Sequence, residues 1–356
     1  MKKLSVCVLF GGISPEHEVS LRSAESVLNH LDPEKYNIFP VGITKSGEWI
    51  LYGGRDYSLL PDGRWLNCAE NRRAAISPVR GQGLLNFEGD CVVREHIDIV
   101  FPVLHGENGE DGSIQGLLQL AGIPYVGPHV AASATCMDKT LTKLVAASAG
   151  IRQAAWQLVT RRMLESAEEE TLSALEQRFG YPVFVKPAGT GSSVGVAKAK
   201  NRTELAAALK NAAEFDKKVL VEEFINGHEV EVAVLGNEMP AASICGEIDA
   251  GTEFYDYDAK YLSDCARLYI PARLDEAVAE KVRDTAVRVY EAMGCRGLSR
   301  VDFFVTYADN EVVFNEINTM PGFTSISMYP KLFDASGIPY GELLDQLITL
   351  AAEADA

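Results

Sequence analysis

The sequence has no charge-free apolar run of the length a bilayer requires, so it offers no candidate for a membrane-spanning helix. Positive charge is also scarce: 33 Lys and Arg stand against 50 Asp and Glu, a formal net charge of -17. Nucleic acid and anionic membrane are poor partners for such a surface, and any phosphate must be met by local basic groups. Cysteine pairs at metal spacing are missing. Seven cysteines are scattered with none in CxxC, an odd count that points to reduced thiols and a cytoplasmic setting. MKKLSVCVLF begins like a signal peptide, but its apolar run is short, and Gly11, Gly12 and charged residues follow in place of a small-residue cleavage site. It reads as a first buried strand. Internal repeats and low-complexity segments are absent.

What is present is enough for several cores: 356 residues, 47% of them hydrophobic, allow two or three domains. Strand LSVCVLF, glycine loop GGISPEHEVS and helix SLRSAESVLNHL make a β-loop-α opening, and strands are expected in YNIFPVGIT and IDIVFPVL. The expected division is an N-terminal α/β domain over 1–128, a central subdomain over 129–221 and a C-terminal subdomain over 222–356. Residues 51–94 carry turn formers and little periodicity, and no role is read from them.

The most informative stretch is GLSRVDFFVTYADNEVVFNEINTMPG. Apolar alternation predicts two strands, and TYADN predicts the turn between them. Side chains two apart share a face, so Arg300 goes with Asp302 and Glu316 with Asn318. With the turn centred near Asp309, Asp302 falls opposite Glu316 and Arg300 opposite Asn318. Opposed carboxylates repel unless a cation lies between them, and oxygen ligands point to Mg²⁺ or Mn²⁺ beside nucleotide phosphates.

Lys186 ends the apolar run PVFVKP and is followed by AGTGSSVG, where backbone N–H groups and the hydroxyls of Ser192 and Ser193 can converge on phosphate. The lysine precedes its loop, unlike GxxxxGK[ST]. GGISPEHEVS fails GxGxxG, and Glu16 and Glu18 would repel a pyrophosphate. A carboxylate there suits an ammonium group, while Glu18 reads as a first-turn helix acid. VLVEEFI brings Glu222, Glu223, Phe224 and Ile225 to a strand end that can wall and hydrogen-bond an adenine, with Glu229 following as an acid for ribose hydroxyls. FYDYDAKYLSD places three tyrosines and a lysine among acids without a clean period, the pattern of an active-site lid. Lys260 is the candidate for phosphate and Tyr261 for an amino-acid substrate.

In this order GGISPEHEVS, HGENGEDGSIQG, CMDK, FVKPAGTGSSVGV, YDYDAKY, SRVDFF and NEINTMPGFTSISMYP resemble the D-alanine:D-alanine ligase family of the ATP-grasp superfamily, over nearly the whole chain. The resemblance implies three α/β domains, with ATP gripped between antiparallel sheets of the second and third. It implies that Lys139 and Lys186 bind phosphates under the loop containing Ser193, that Glu222 and Ile225 form the adenine linker, and that Glu229 meets the ribose. Phe304 goes with the nucleotide. Asp302, Glu316 and Asn318 match a two-magnesium cluster.

By the same resemblance Glu16 receives the ammonium of the first D-alanine, with Ser192 and Tyr261 completing a hydrogen-bonded triad, and His105 lies near that substrate's carboxylate. Arg300 and the N–H of Gly322 match an oxyanion site. Ser327 and Met328 fall where the second carboxylate binds. SIS departs from the SHS of some members, with Ile326 in place of histidine. The implied reaction is ATP-dependent joining of two D-alanines through an acyl phosphate, in peptidoglycan precursor synthesis, by a cytoplasmic homodimer with no nucleic-acid or membrane partner. Rivals are ligases that use D-serine or D-lactate as acceptor and a non-catalytic nucleotide-binding regulator. Tyr261 favours an amine acceptor over D-lactate, and the intact set of Arg300, Asp302, Glu316 and Asn318 speaks against the regulator.

Overall fold

The computed structural model describes residues 3–192, 194–249 and 267–354. Its first sheet has seven strands: β1 (Leu4–Gly11), β2 (Tyr36–Ile43), β3 (Trp49–Leu51), β4 (Arg72–Ile76), β5 (Leu84–Glu88), β6 (Cys91–Glu95) and β7 (Ile99–Val103). Their order is β6-β5-β4-β3-β2-β1-β7. β1 is parallel to both β2 and β7, so its apolar run is covered on both faces, as a central parallel strand requires. Helix α1 (His17–His30) packs against it.

Residues 51–94, opaque in the sequence, extend this sheet as the antiparallel ribbon β3-β4-β5-β6. A 3₁₀ turn over Arg64–Asn67 carries the buried Trp65, whose ring meets Phe10 edge-on at 5.2 Å between centroids. Beyond β7, Tyr125 makes an isolated parallel bridge to Val100.

Helices α2 (Ser113–Ala121), α3 (Val130–Met137) and α4 (Lys139–Ser148) lead to a four-stranded antiparallel sheet. It contains β8 (Trp156–Thr160), β9 (Val183–Pro187), β10 (Ala197–Ala199) and β11 (Lys218–Glu223), in the order β10-β9-β11-β8. Helices α5 (Arg161–Arg178) and α6 (Arg202–Phe215) supply its core through Leu172, Leu175, Leu205 and Leu209.

The third sheet is built from β12 (Gly227–Gly236), β13 (Ala241–Ala242), β14 (Gly246–Asp249), β15 (Arg267–Tyr269), β16 (Gly297–Thr306) and β17 (Val312–Asn318). The order is β15-β14-β12-β16-β17, with β13 on β12. Helix α7 (Glu276–Ala292) covers one face through Val282, Ala286 and Val289, in a core shared with Ala132 and Cys136 of α3 and Ala146 of α4. Helices α8 (Met328–Ala335) and α9 (Tyr340–Ala354) close the chain. Leu343, Leu344, Leu347 and Ile348 of α9 pack with Val6, Val8, Phe10 and Leu28, so the first sheet and the last helix share one core.

Candidate active site

A cleft of about 460 Å³ lies between the second and third sheets. Its polar end is set by the strand pairing. Asp302 is the Cα partner of Glu316 and Arg300 of Asn318, the register expected from alternation, with a shift just after Asp302. Arg300 holds Asp302 in two parallel bonds, Nε to Oδ1 at 2.8 Å and Nη2 to Oδ2 at 2.7 Å, and Asn318 Nδ2 donates to the same Oδ2 at 3.0 Å. Glu231, missed in the sequence although EVEV puts it on the face of Glu229, lies 3.1 Å from Arg300 Nε. Burial alone would lower the Arg300 pKa, but Asp302 and Glu231 outweigh it and hold the guanidinium firmly charged.

Three lysines converge from two elements. Asp138 accepts from the backbone of Thr140 at 3.0 Å and Leu141 at 3.3 Å as the cap of α4, and it pairs with Lys218 of β11. This fixes Lys139, whose Nζ donates to Thr190 O at 2.7 Å in the loop after β9. Lys143, one turn further along α4, pairs with Glu222; Lys186 of β9 pairs with the other oxygen of Glu222 at 2.6 Å and donates to Asn315 Oδ1 at 3.2 Å. Burial alone would raise the Glu222 pKa, but the two ammoniums bring it down to about 2. Burial pushes Lys139 and Lys143 down. Lys186 rises instead, because Glu222 and Glu316 overcome the same desolvation.

Phe184, Phe224, Ile225 and Phe304 supply the apolar lining, with Glu229 in the same wall. Lys198 Nζ stands 4.2 Å from the Phe224 ring centre. Among these, the sequence pointed to Phe224, Ile225, Glu229 and Phe304; Phe184 looked like an ordinary strand residue.

On the opposite side, Ser192 Oγ donates to the buried carboxylate of Glu16, joining the loop after β9 to the loop after β1. Ser192 sits at φ 47°, a left-handed conformation uncommon for a residue with a Cβ. Glu16 is at the start of α1 with no side-chain cap bond, so its carboxylate is directed to other work. Glu18, in the first turn of α1, pairs with Lys45. Burial, then the charge of Glu16, raises the neighbouring Glu110 to about 8, although its oxygens accept from Gly106 N at 2.8 Å and Met320 N at 3.1 Å.

His105 is buried, its Nδ1 donating to Met320 O at 3.0 Å. Ser23 Oγ accepts from Phe323 N at 3.2 Å and can therefore donate to His105 Nε2, 3.1 Å away. Both bonds fit a neutral ring, and burial lowers its pKa. Gly322 faces Ser327, and a Cβ on it would stand 2.6 Å from the Ser327 hydroxyl. Ser327 caps α8, its N–H donates to Thr324 O at 3.0 Å, and the Met328 side chain is buried in the core, so this turn offers a ligand the Ser327 hydroxyl and the Met328 N–H. Ser193, Lys260 and Tyr261 lie outside the described residues.

Family models described as the D-ala D-ala ligase N-terminus and C-terminus match residues 5–128 and 145–349. The chain belongs to the D-alanine–D-alanine ligase family. Proteins named D-alanine–D-alanine ligase from Caldicellulosiruptor bescii and Clostridium acetobutylicum are each 49% identical to it, over 99% of this chain and 96% and 98% of theirs. The crystal structure of the VanG D-Ala:D-Ser ligase from Enterococcus faecalis is 40% identical, with a TM-score of 0.89, covering 98% of this chain and 100% of that one. The D-alanine–D-alanine ligase from Coxiella burnetii is 38% identical, with a TM-score of 0.85 over 99% and 96%. The fold is accordingly ATP-grasp. Among the described residues no helix is long and apolar enough to cross a membrane.

Proposed function

We propose that the chain joins two molecules of D-alanine at the expense of ATP, through an acyl phosphate. The observation that carries this reading is the pairing of Asp302 with Glu316 and of Arg300 with Asn318 beside the cluster of Lys139, Lys143 and Lys186. A carboxylate is a poor acyl donor until phosphorylated, and an arrangement of fixed cations is what phosphoryl transfer needs. Glu16 receives the first ammonium group with Ser192 and Tyr261, and His105 shapes the floor near its carboxylate by holding Met320 and Ser23 in place.

The nucleotide base lies along Glu222, Ile225 and Phe304, with its ribose on Glu229 and its phosphates on Lys139, Lys186, Ser193 and Lys260. The donors of Asp302, Glu316 and Asn318 suit Mg²⁺ or Mn²⁺, because all are oxygens and the nitrogen of Asn318 is already committed to Asp302, leaving its amide oxygen as ligand. Two such ions would neutralise charge on the phosphate oxygens. Arg300 and Gly322 N–H stabilise the tetrahedral oxyanion when the second amine attacks. The Ser327 hydroxyl and the Met328 N–H take the second carboxylate, the latter as a helix start does.

The product serves peptidoglycan precursor synthesis in the cytoplasm, and the chain acts as a homodimer through its first domain; sedimentation of the pure protein checks the latter. The likeness to a D-Ala:D-Ser ligase structure makes D-serine the rival acceptor. Phosphate release with ATP and D-alanine, D-serine or D-lactate offered separately and in pairs decides. Release with D-alanine alone is expected, and none with D-alanine alone overturns the reading.

A further inference from the structure

Lys143 is a buried lysine of the cation cluster to which no contact with substrate or nucleotide has been given. Its side chain is 2% exposed, on the same face of α4 as Lys139 and one turn beyond it, and its ammonium pairs with one oxygen of Glu222 while Lys186 takes the other at 2.6 Å. Gln153 Nε2 donates to Lys143 O at 2.8 Å, which ties this turn of α4 to the chain entering β8. Glu222 thus stands between two cations, and one of them, Lys186, is the phosphate-binding candidate.

We infer that Lys143 is a positioning residue for nucleotide binding: by sharing the Glu222 carboxylate it frees the Lys186 ammonium for phosphate. The inference rests on the reading of the cleft as an ATP site. A buried carboxylate facing a single ammonium neutralises it, and phosphate would have to displace that carboxylate before it could use Lys186. With Lys143 present the Glu222 carboxylate is divided between two ammoniums, so less of its charge is spent on Lys186 and more of that ammonium's field is left for the triphosphate. Burial pushes the Lys143 pKa down, while Glu222 opposes the fall at contact range, so the lysine's charge depends on the carboxylate it balances.

The test is titration with ATP, and initial rates against ATP and D-alanine, for four full-length proteins: wild type, Lys143→Met, Glu222→Gln and the double variant. Lys143→Met is expected to weaken ATP by about tenfold or more, the scale of one charge-assisted contact, while KM for D-alanine stays within about twofold. Lys143→Arg restores binding. Neutralising Glu222 removes the need for Lys143, so Glu222→Gln and the double variant bind ATP equally.

Unchanged ATP affinity in Lys143→Met overturns the inference. So does a double variant weaker than Glu222→Gln, and that comparison stands even if Lys143→Met fails to fold. Failure of the underlying reading looks different: wild type itself then shows neither ATP binding nor phosphate release with D-alanine.

Discussion

Ser192 donates a hydrogen bond to Glu16 across 176 positions of sequence, so the loop that follows β9 and the loop that follows β1 meet at one carboxylate. A side chain that would recognise the ammonium of an amino acid is thereby held by a neighbour of the phosphate loop.

Glu16→Gln keeps the shape and removes the charge. KM for the first D-alanine is expected to rise roughly tenfold, the cost of one hydrogen bond to a charged group, with ATP binding little altered. Steady-state rates against D-alanine measure it, and an unchanged constant removes Glu16 from substrate recognition.

Arg300→Ala deletes the guanidinium that faces Asp302 and Glu231. Turnover should fall by about 10²-fold or more, as when an oxyanion donor is lost. Near-normal phosphate release would show that another group stabilises the developing charge.

Lys186→Ala leaves Glu222 with Lys143 alone and takes away the ammonium at the phosphate end of the cleft. Nucleotide titration should show ATP binding weakened by about tenfold or more. Equal affinity would assign the glycine-rich loop to some other task.

Glu110 gives a pH signature. Its folded-state pKa, near 8, lies above the ordinary carboxyl value of 4.5, so between those values the folded protein keeps a proton that the unfolded chain has released. Stability from this group is complete below pH 4.5 and is lost as pH rises through 8. Glu110→Gln cannot titrate. Melting temperatures of variant and wild type, compared from pH 5 to pH 8, should shift in the variant's favour as pH rises; a constant difference would show that the carboxyl ionises normally.

Gly42→Ala tests the added ribbon. A Cβ at Gly42 would stand 2.7 Å from Trp65 Cζ3 and 2.8 Å from Phe10 Cε2, too close for either ring. The expected loss is about 1–3 kcal/mol, typical of an overpacked core, read by denaturant titration. Stability equal to wild type would mean that the Trp65 ring moves aside without cost.

The hairpin was legible because its strands alternate cleanly and a turn sits between them, which fixes the side-chain partners once the turn is centred. Residues 51–94 were not, since β6 exposes nearly all its side chains and Trp65 is buried from a 3₁₀ turn, neither of which leaves a period. Lys143 escaped notice for a different reason. On a helix with apolar neighbours a lysine reads as a solvated surface charge, and only the approach of Glu222 from a distant strand reveals it as buried. Glu231 was hidden by its own neighbour, because EVEV offers two acids on one face and the linker drew attention to the first.

The helix from Tyr340 to Ala354 completes the core around β1. The first and last of the described elements therefore hold each other in place, and a substitution that empties this core at either one loosens both.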